Sequence, residues 1–222
     1  NRPIDTRCMN DSYQLNSKLP HVGVTIFSKM SQLAQQTGAI NLSQGFPDFE
    51  SPPALLEALK KYASHGYQQY APMAGLPALR EQVALTIQQR YGLQLDINKH
   101  IAITPGATEA IFCAIHALVK PGDEVVVFDP CYDSYQPAIE LAGGRCVHVP
   151  LSSPHFRIDW QGLADAITNN TRAIIINFPH NPSGAMLQDG DLQQLYQLIA
   201  DTDIVVISDE VYEYLIFDGQ QH

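Results

Sequence analysis

Positive charge is scarce in this chain. Thirteen Lys and Arg stand against 23 Asp and Glu in 222 residues, a formal charge of −10 with a pI near 5.1. So acidic a balance argues against a nucleic-acid or anionic-membrane surface, though it leaves room for a local anion site. Long apolar runs are missing too: none reaches the ~18 residues needed to span a bilayer. Cysteine is sparse, and Cys8, Cys113, Cys131 and Cys146 show no close pairing, which indicates neither a zinc site nor a disulfide scaffold. They read as free thiols of an intracellular, cytoplasmic protein. Nothing in the polar stretch Asn1–Ser17 resembles a signal peptide, and Met9 reads as the natural start, with Asn1–Cys8 a remnant ahead of it. Internal repeats and low-complexity tracts are also lacking.

What is present is a well-patterned globular sequence, 45% hydrophobic and 16% charged, enough for one packed domain and part of a second. After a polar arm, Ile26, Phe27, Met30, Leu33 and Ala34 recur at helical spacing until Gly38. The turn-rich loop Asn41–Phe49 follows, then a short helix over Leu55–Ala63. An irregular stretch, Tyr67–Gly75, precedes a helix that Pro77 opens and Gly92 closes. Beyond Gly92 the pattern becomes strict alternation. Strands are predicted at His100–Thr104, Glu124–Phe128, Arg145–Leu151, Arg172–Phe178 and Ile204–Ser208, with helices at Thr108–Val119, Ser134–Ala142, Gly162–Thr168 and Asp191–Ala200. Such alternation predicts an α/β fold, a mostly parallel sheet with helices on both faces. The run Ile204–Ile207 reads as a strand buried on both faces.

Ligands of open α/β sheets bind beyond the carboxyl ends of the strands, and four of these ends carry suggestive chemistry. Thr104-Pro105-Gly106-Ala107-Thr108 joins a strand to a helix, so the amides of Gly106, Ala107 and Thr108 suit an anion at the helix start; an ordinary capping turn is the alternative. Tyr132 follows the second strand and could stack on a flat aromatic ligand, or serve as a rim tyrosine. Asn181, held by Pro182, could donate to a ligand oxygen; His180 beside it reads as structural. Asp209 ends the last strand, and a buried carboxylate there needs a cation or strong donors, unless it merely caps the following turn. Together the four fit one ligand: a phosphorylated, cationic heteroaromatic ring with a phenolic oxygen. A nucleotide-binding Rossmann domain is disfavoured, because no Gly-x-Gly-x-x-Gly follows the first strand.

From about Leu19 to His222 the chain resembles the pyridoxal-phosphate enzymes of fold type I, specifically the class I/II aminotransferases of the methionine and kynurenine branch. The resemblance rests on Asn-Leu-Ser-Gln-Gly-Phe-Pro-Asp-Phe (41–49), Tyr-Ala-Pro-Met-Ala-Gly (70–75), Gly-Ala-Thr-Glu-Ala (106–110), Asn-Pro-Ser-Gly (181–184) and Asp-Glu-Val-Tyr (209–212). It implies pyridoxal 5'-phosphate as cofactor, with Asp209 on the ring nitrogen and Asn181 and Tyr212 on the phenolic oxygen. Gly106, Ala107 and Thr108 would take the phosphate, and Tyr132 would stack on the ring. Tyr70 would reach the phosphate of a neighbouring subunit in a homodimer. Gly45 and Phe27 would line the substrate pocket. Residues 1–45 would form an arm and the start of a small domain, and 46–222 part of the large cofactor-binding domain.

The same resemblance carries one departure. The family anchors its cofactor on a lysine well beyond the acid–tyrosine pair, yet Lys18, Lys29, Lys60, Lys61, Lys99 and Lys120 all precede Asp209. That lysine is also the proton shuttle. The chain therefore reads as the first half of an aminotransferase acting on a methionine-like or aromatic amino acid and a 2-oxo acid, inactive by itself. The alternatives are a carbon–sulfur β-lyase using the same cofactor and a non-catalytic module built on the same sheet. No metal site is expected.

Overall fold

The structure, a computed structural model, describes residues 16–45 and 47–222; the expectations placed on Cys8, Met9 and Phe46 fall outside them. The described chain divides into two compact units, one of residues 16–25 with Ile115–His222, the other of Ile26–Ala114.

The sheet belongs to the first unit. Its strands are β1 (Glu124–Asp129), β2 (Arg145–Pro150), β3 (Thr171–Ile176) and β4 (Val205–Ser208), all parallel, in the order β2-β1-β3-β4. Valine and isoleucine runs at Val125–Val127 and Ile174–Ile176 are β-branched and apolar on both faces, which suits the two central strands, and all six residues are buried. The connecting helices are α5 (Tyr135–Leu141), α6 (Trp160–Ala166) and α7 (Asp191–Ile199). The chain crosses one way from β1 to β2 and the other way from β2 to β3 and β4, so right-handed crossovers put α5 opposite α6 and α7. The packing agrees: Leu163 of α6 and Leu195 of α7 share a core with Val126, Phe128, Ile174 and Ile176. Val125, Val127, Ala173 and Ile175 alternate to the other face, and Ile139 of α5 is fully buried. The expected α/β architecture, parallel and covered on both faces, is the observed one.

In the second unit, α1 (Ile26–Thr37), α2 (Pro53–Ser64) and α3 (Pro77–Tyr91) fall within two residues of their predicted bounds. Pro77 opens α3, and Gly92 closes it at φ +71° with its N–H on the Gln88 carbonyl. Arg80 is buried, and carbonyls answer its charge: Nε donates to Gly75 O at 3.1 Å and Nη1 to Ile97 O at 2.6 Å. Helix α4 (Ala107–Leu118) runs through the division between the units.

Two expectations need correction. No strand forms at His100–Thr104: the segment has one backbone bond to a distant residue, Ile103 N to Ala74 O at 3.0 Å. Strand geometry without a ladder partner leaves backbone groups to water, and among the described residues no strand lies alongside it. Nor is β4 buried on both faces. It is the outer strand of the described sheet, its valines and isoleucine are half-buried, and Ser208 is exposed.

Candidate functional site

The strand order reverses direction between β1 and β3, and crevices of open α/β sheets lie at the carboxyl ends beside such a reversal. Phe128, Cys131, Tyr132, Tyr135, Asn177 and His180 line a small cavity there. Three loops meet at this edge: the β1–α5 loop, the turn after β3, and the turn after β4.

Asp209 is the most constrained group of the three loops. Its N–H continues the ladder to Ile176 O at 2.8 Å, which fixes the residue one step beyond β4, and the side chain is buried at 9% exposure. The Tyr135 hydroxyl donates to Oδ2 at 2.6 Å, and the Val211 N–H reaches Oδ1 at a long 3.3 Å. Both donors are neutral, and among the described residues no Lys, Arg or His pairs with this carboxylate. A carboxylate so placed has a strong reason to accept a cation from a ligand. Burial, and then the bond to Asp209, push the Tyr135 hydroxyl far above its ordinary value, so it stays a protonated donor. Tyr135→Phe removes this charge-assisted bond and should cost about 1.5–3 kcal/mol, read as a lower urea midpoint of the purified chain with an unchanged m-value.

Asn177 and Tyr135 did not stand out in the sequence. Asn177 is buried, its amide donates to Asp209 O at 2.9 Å, and its Oδ1 accepts the Asn181 N–H at 3.0 Å. One side chain thus fastens the end of β4 to the turn that carries Asn181. A polar residue closing an apolar strand was the available signal. Tyr132 packs edge-on against Tyr135, ring centroids 5.8 Å apart, so the expected stacking residue and the Asp209 donor support each other.

Asn181 and Tyr212 line one open pocket of about 290 Å³ with Pro179, Gly184, Leu215 and Phe217. The structure therefore brings Asn181 and Tyr212 together, next to the buried Asp209–Tyr135–Asn177 group. A roomier cleft of about 420 Å³ lies between residues 186–192 and 208–222. Its polar groups include Glu210 and His222, which bond to each other at 2.5 Å, and among the described residues that line it no acid is buried. The strand-end pocket is the better candidate.

His180 is structural, as the sequence suggested. It is buried, and its Nδ1 faces the Ser183 hydroxyl at 2.7 Å and the Ser183 N–H at 3.4 Å. Burial holds its pKa below the ordinary 6.5. A histidine that is neutral when folded takes up its proton in the unfolded chain first. Stability is therefore complete above about pH 6.5 and falls as pH drops from there toward the folded value. Between about pH 8 and pH 5, the unfolding free energy from urea titrations should decline with a slope from this group of at most about 1.4 kcal/mol per pH unit, and His180→Asn should remove that component.

The remaining candidates lie in the second unit. Gly106 adopts φ +96° directly before α4, where no added Cβ would meet an atom within 4 Å, and Thr104 Oγ1 donates to its carbonyl at 2.9 Å. Ala107 and Thr108 form the first turn of α4, whose leading amides have no intrahelical acceptor. Thr108 is thus inside the helix instead of capping it. Tyr70 is fully exposed, Gly45 is exposed beyond the Asn41 turn, and Phe27 is half-buried in α1.

Comparison with known proteins places this geometry in a family setting. The family described as aminotransferase class I and II matches residues 37–222. The methionine aminotransferase of Escherichia coli is 53% identical over 206 residues, covering 93% of this chain and 53% of that protein. Human kynurenine–oxoglutarate transaminase 3 is 36% identical, covering 89% of this chain and 46% of its own length. Among solved structures, an Escherichia coli protein identified as having a methionine aminotransferase function superposes with a TM-score of 0.89 at 52% identity, over 95% of this chain and 55% of that one. The N-succinyldiaminopimelate aminotransferase of Mycobacterium tuberculosis gives 0.89 at 42%, over 94% and 55%. The chain spans about half the length of the curated relatives it matches.

Proposed function

The chain belongs to the class I and II aminotransferases, a pyridoxal-phosphate-dependent family, and from that premise we propose that it holds the cofactor in an enzyme moving an amino group between an amino acid and a 2-oxo acid. The donor is methionine-like or aromatic, a choice supported by the names of the relatives. The active unit is a cytoplasmic homodimer, with Tyr70 reaching the partner's phosphate. Among the described residues no helix is long and apolar enough to cross a membrane. Residues 1–45 contribute to a small domain and 46–222 to the large one.

The observation that carries this reading is the buried Asp209 carboxylate, which has neutral donors and, among the described residues, no cation. When bound, pyridoxal phosphate supplies an electron sink for the substrate's α-carbon. Asp209 keeps a proton on the ring nitrogen, and Tyr135 and Asn177 hold Asp209 in place. Asn181 and Tyr212 donate to the phenolic oxygen, Tyr132 covers the ring, and Gly106, Ala107 and Thr108 receive the phosphate. Gly45 and Phe27 border the substrate. No lysine follows Asp209, so the 222 residues alone contribute neither the covalent anchor nor the proton shuttle of the family.

The complete gene product, assayed with methionine and a 2-oxo acid, should yield the 2-oxo acid of methionine. Pyruvate release from cystathionine in its place would make it a β-lyase. The 222-residue chain alone should show neither activity, and borohydride should fix no cofactor on its six lysines.

A further inference from the structure

On the face of the sheet covered by α5, the parallel register sets His148 of β2 beside Val127 of β1, one step of the pleat before Asp129. The β1–α5 loop then carries Cys131 back over the same place. One ligand atom from each of Asp129, Cys131 and His148 lies within 4.8 Å of the others. His148 Nδ1 is 3.0 Å from Asp129 Oδ1, an N–H donated to a carboxylate. The Cys131 thiol is directed at the same carboxylate, and burial, then Asp129, push it up to about 12. Two donors thus converge on one anion.

We propose that Asp129, Cys131 and His148 form a binding site for a zinc-class divalent cation beside the cofactor pocket. In tetrahedral zinc, bonds of about 2.0–2.3 Å separate the ligand atoms by roughly 3.5 Å, so small rotations of three side chains close the set. A thiolate with an imidazole selects zinc over magnesium or calcium, which take oxygen ligands. The step balances simply: the cation displaces the thiol proton to solvent, and the imidazole stays neutral as its proton passes through water from Nδ1 to Nε2, leaving Nδ1 as the ligand. The fourth position falls to water or to Cys146. That residue is two before His148 on the same face of β2, and its thiol is pushed up to about 12 by burial and then by Cys131. No spacing in the sequence points to the site, because its ligands come from the end of β1, the β1–α5 loop and β2, with α5 between the last two.

The cation would fix the loop that carries Tyr132, but the proposal stands apart from the aminotransferase reading and is tested without pyridoxal phosphate. Cobalt(II) alone, titrated into the purified chain, should bind one equivalent with a thiolate-to-metal charge-transfer band, and zinc should displace it. Cys131→Ser and His148→Ala should each weaken binding more than about tenfold, and Cys113→Ser should not. His148 is exposed, so His148→Ala should keep the circular dichroism of the parent and remain decisive if Cys131→Ser misfolds. Absence of the band at saturating cobalt, or a band that survives His148→Ala in folded protein, would overturn the site.

Discussion

Asp209→Ala should lower kcat/KM for transamination by the complete gene product by about 10- to 1000-fold. The figure follows from the charge pairing: an opposite charge within contact distance shifts a carboxylate by about 1–3 pKa units, each worth about 1.4 kcal/mol. On the proposed reading the same interaction would hold the ring nitrogen protonated and would be lost with the carboxylate. The loss should sit mainly in kcat, because on the proposed reading the other cofactor-binding residues would still retain the cofactor. Asp209→Asn should lose nearly as much, since a neutral amide keeps the shape and loses the charge. Steady-state kinetics at saturating cofactor check this. A variant within twofold of the parent would remove Asp209 from the chemistry.

Ile174→Ala should be the most damaging single truncation in the sheet. Ile174 is fully buried in the central strand β3, among Val126, Leu163 and Leu195. Deleting three carbons there leaves a cavity that the rigid parallel ladder cannot close, at a cost of about 2–5 kcal/mol. For a chain of this size each kcal/mol moves the midpoint by about 2–4 °C, so the thermal transition should fall by roughly 4–20 °C. Ile207→Ala is the comparison, because that residue is only half-buried on the outer strand β4. It should cost well under half as much.

The two isoleucines also mark how far the sequence could be read. Both lie in apolar β-branched runs, and such runs located β1, β3 and β4 to within two residues. A run records composition, however, and cannot say which strand will stand in the middle. That depends on strand order, so the burial of β4 was overestimated. The failed strand at His100–Thr104 has the same origin: a ladder needs a neighbour, and a propensity pattern does not supply one. Helix ends were more legible because their signals are local, as Pro77 and Gly92 around α3 illustrate.

The site divides along the same line. Asp209, Asn181, Tyr132 and Tyr212 could be picked out because each sits at a strand end or in a distinctive motif, and the first unit gathers all four at one sheet edge. Tyr135 and Asn177 act through Asp209 and Asn181, at contacts between residues up to 74 positions apart. No spacing rule reaches across that distance. The Asp129–Cys131–His148 cluster was hidden for the same reason.

Charge at the end of β4 can be read in one spectrum. Pyridoxal phosphate labelled with nitrogen-15 in the ring, bound to this chain, should show a protonated pyridine nitrogen at neutral pH, and Asp209→Ala should leave that nitrogen unprotonated. A bound ring whose nitrogen lacks a proton in the parent, or keeps one unchanged in the variant, would contradict the assignment.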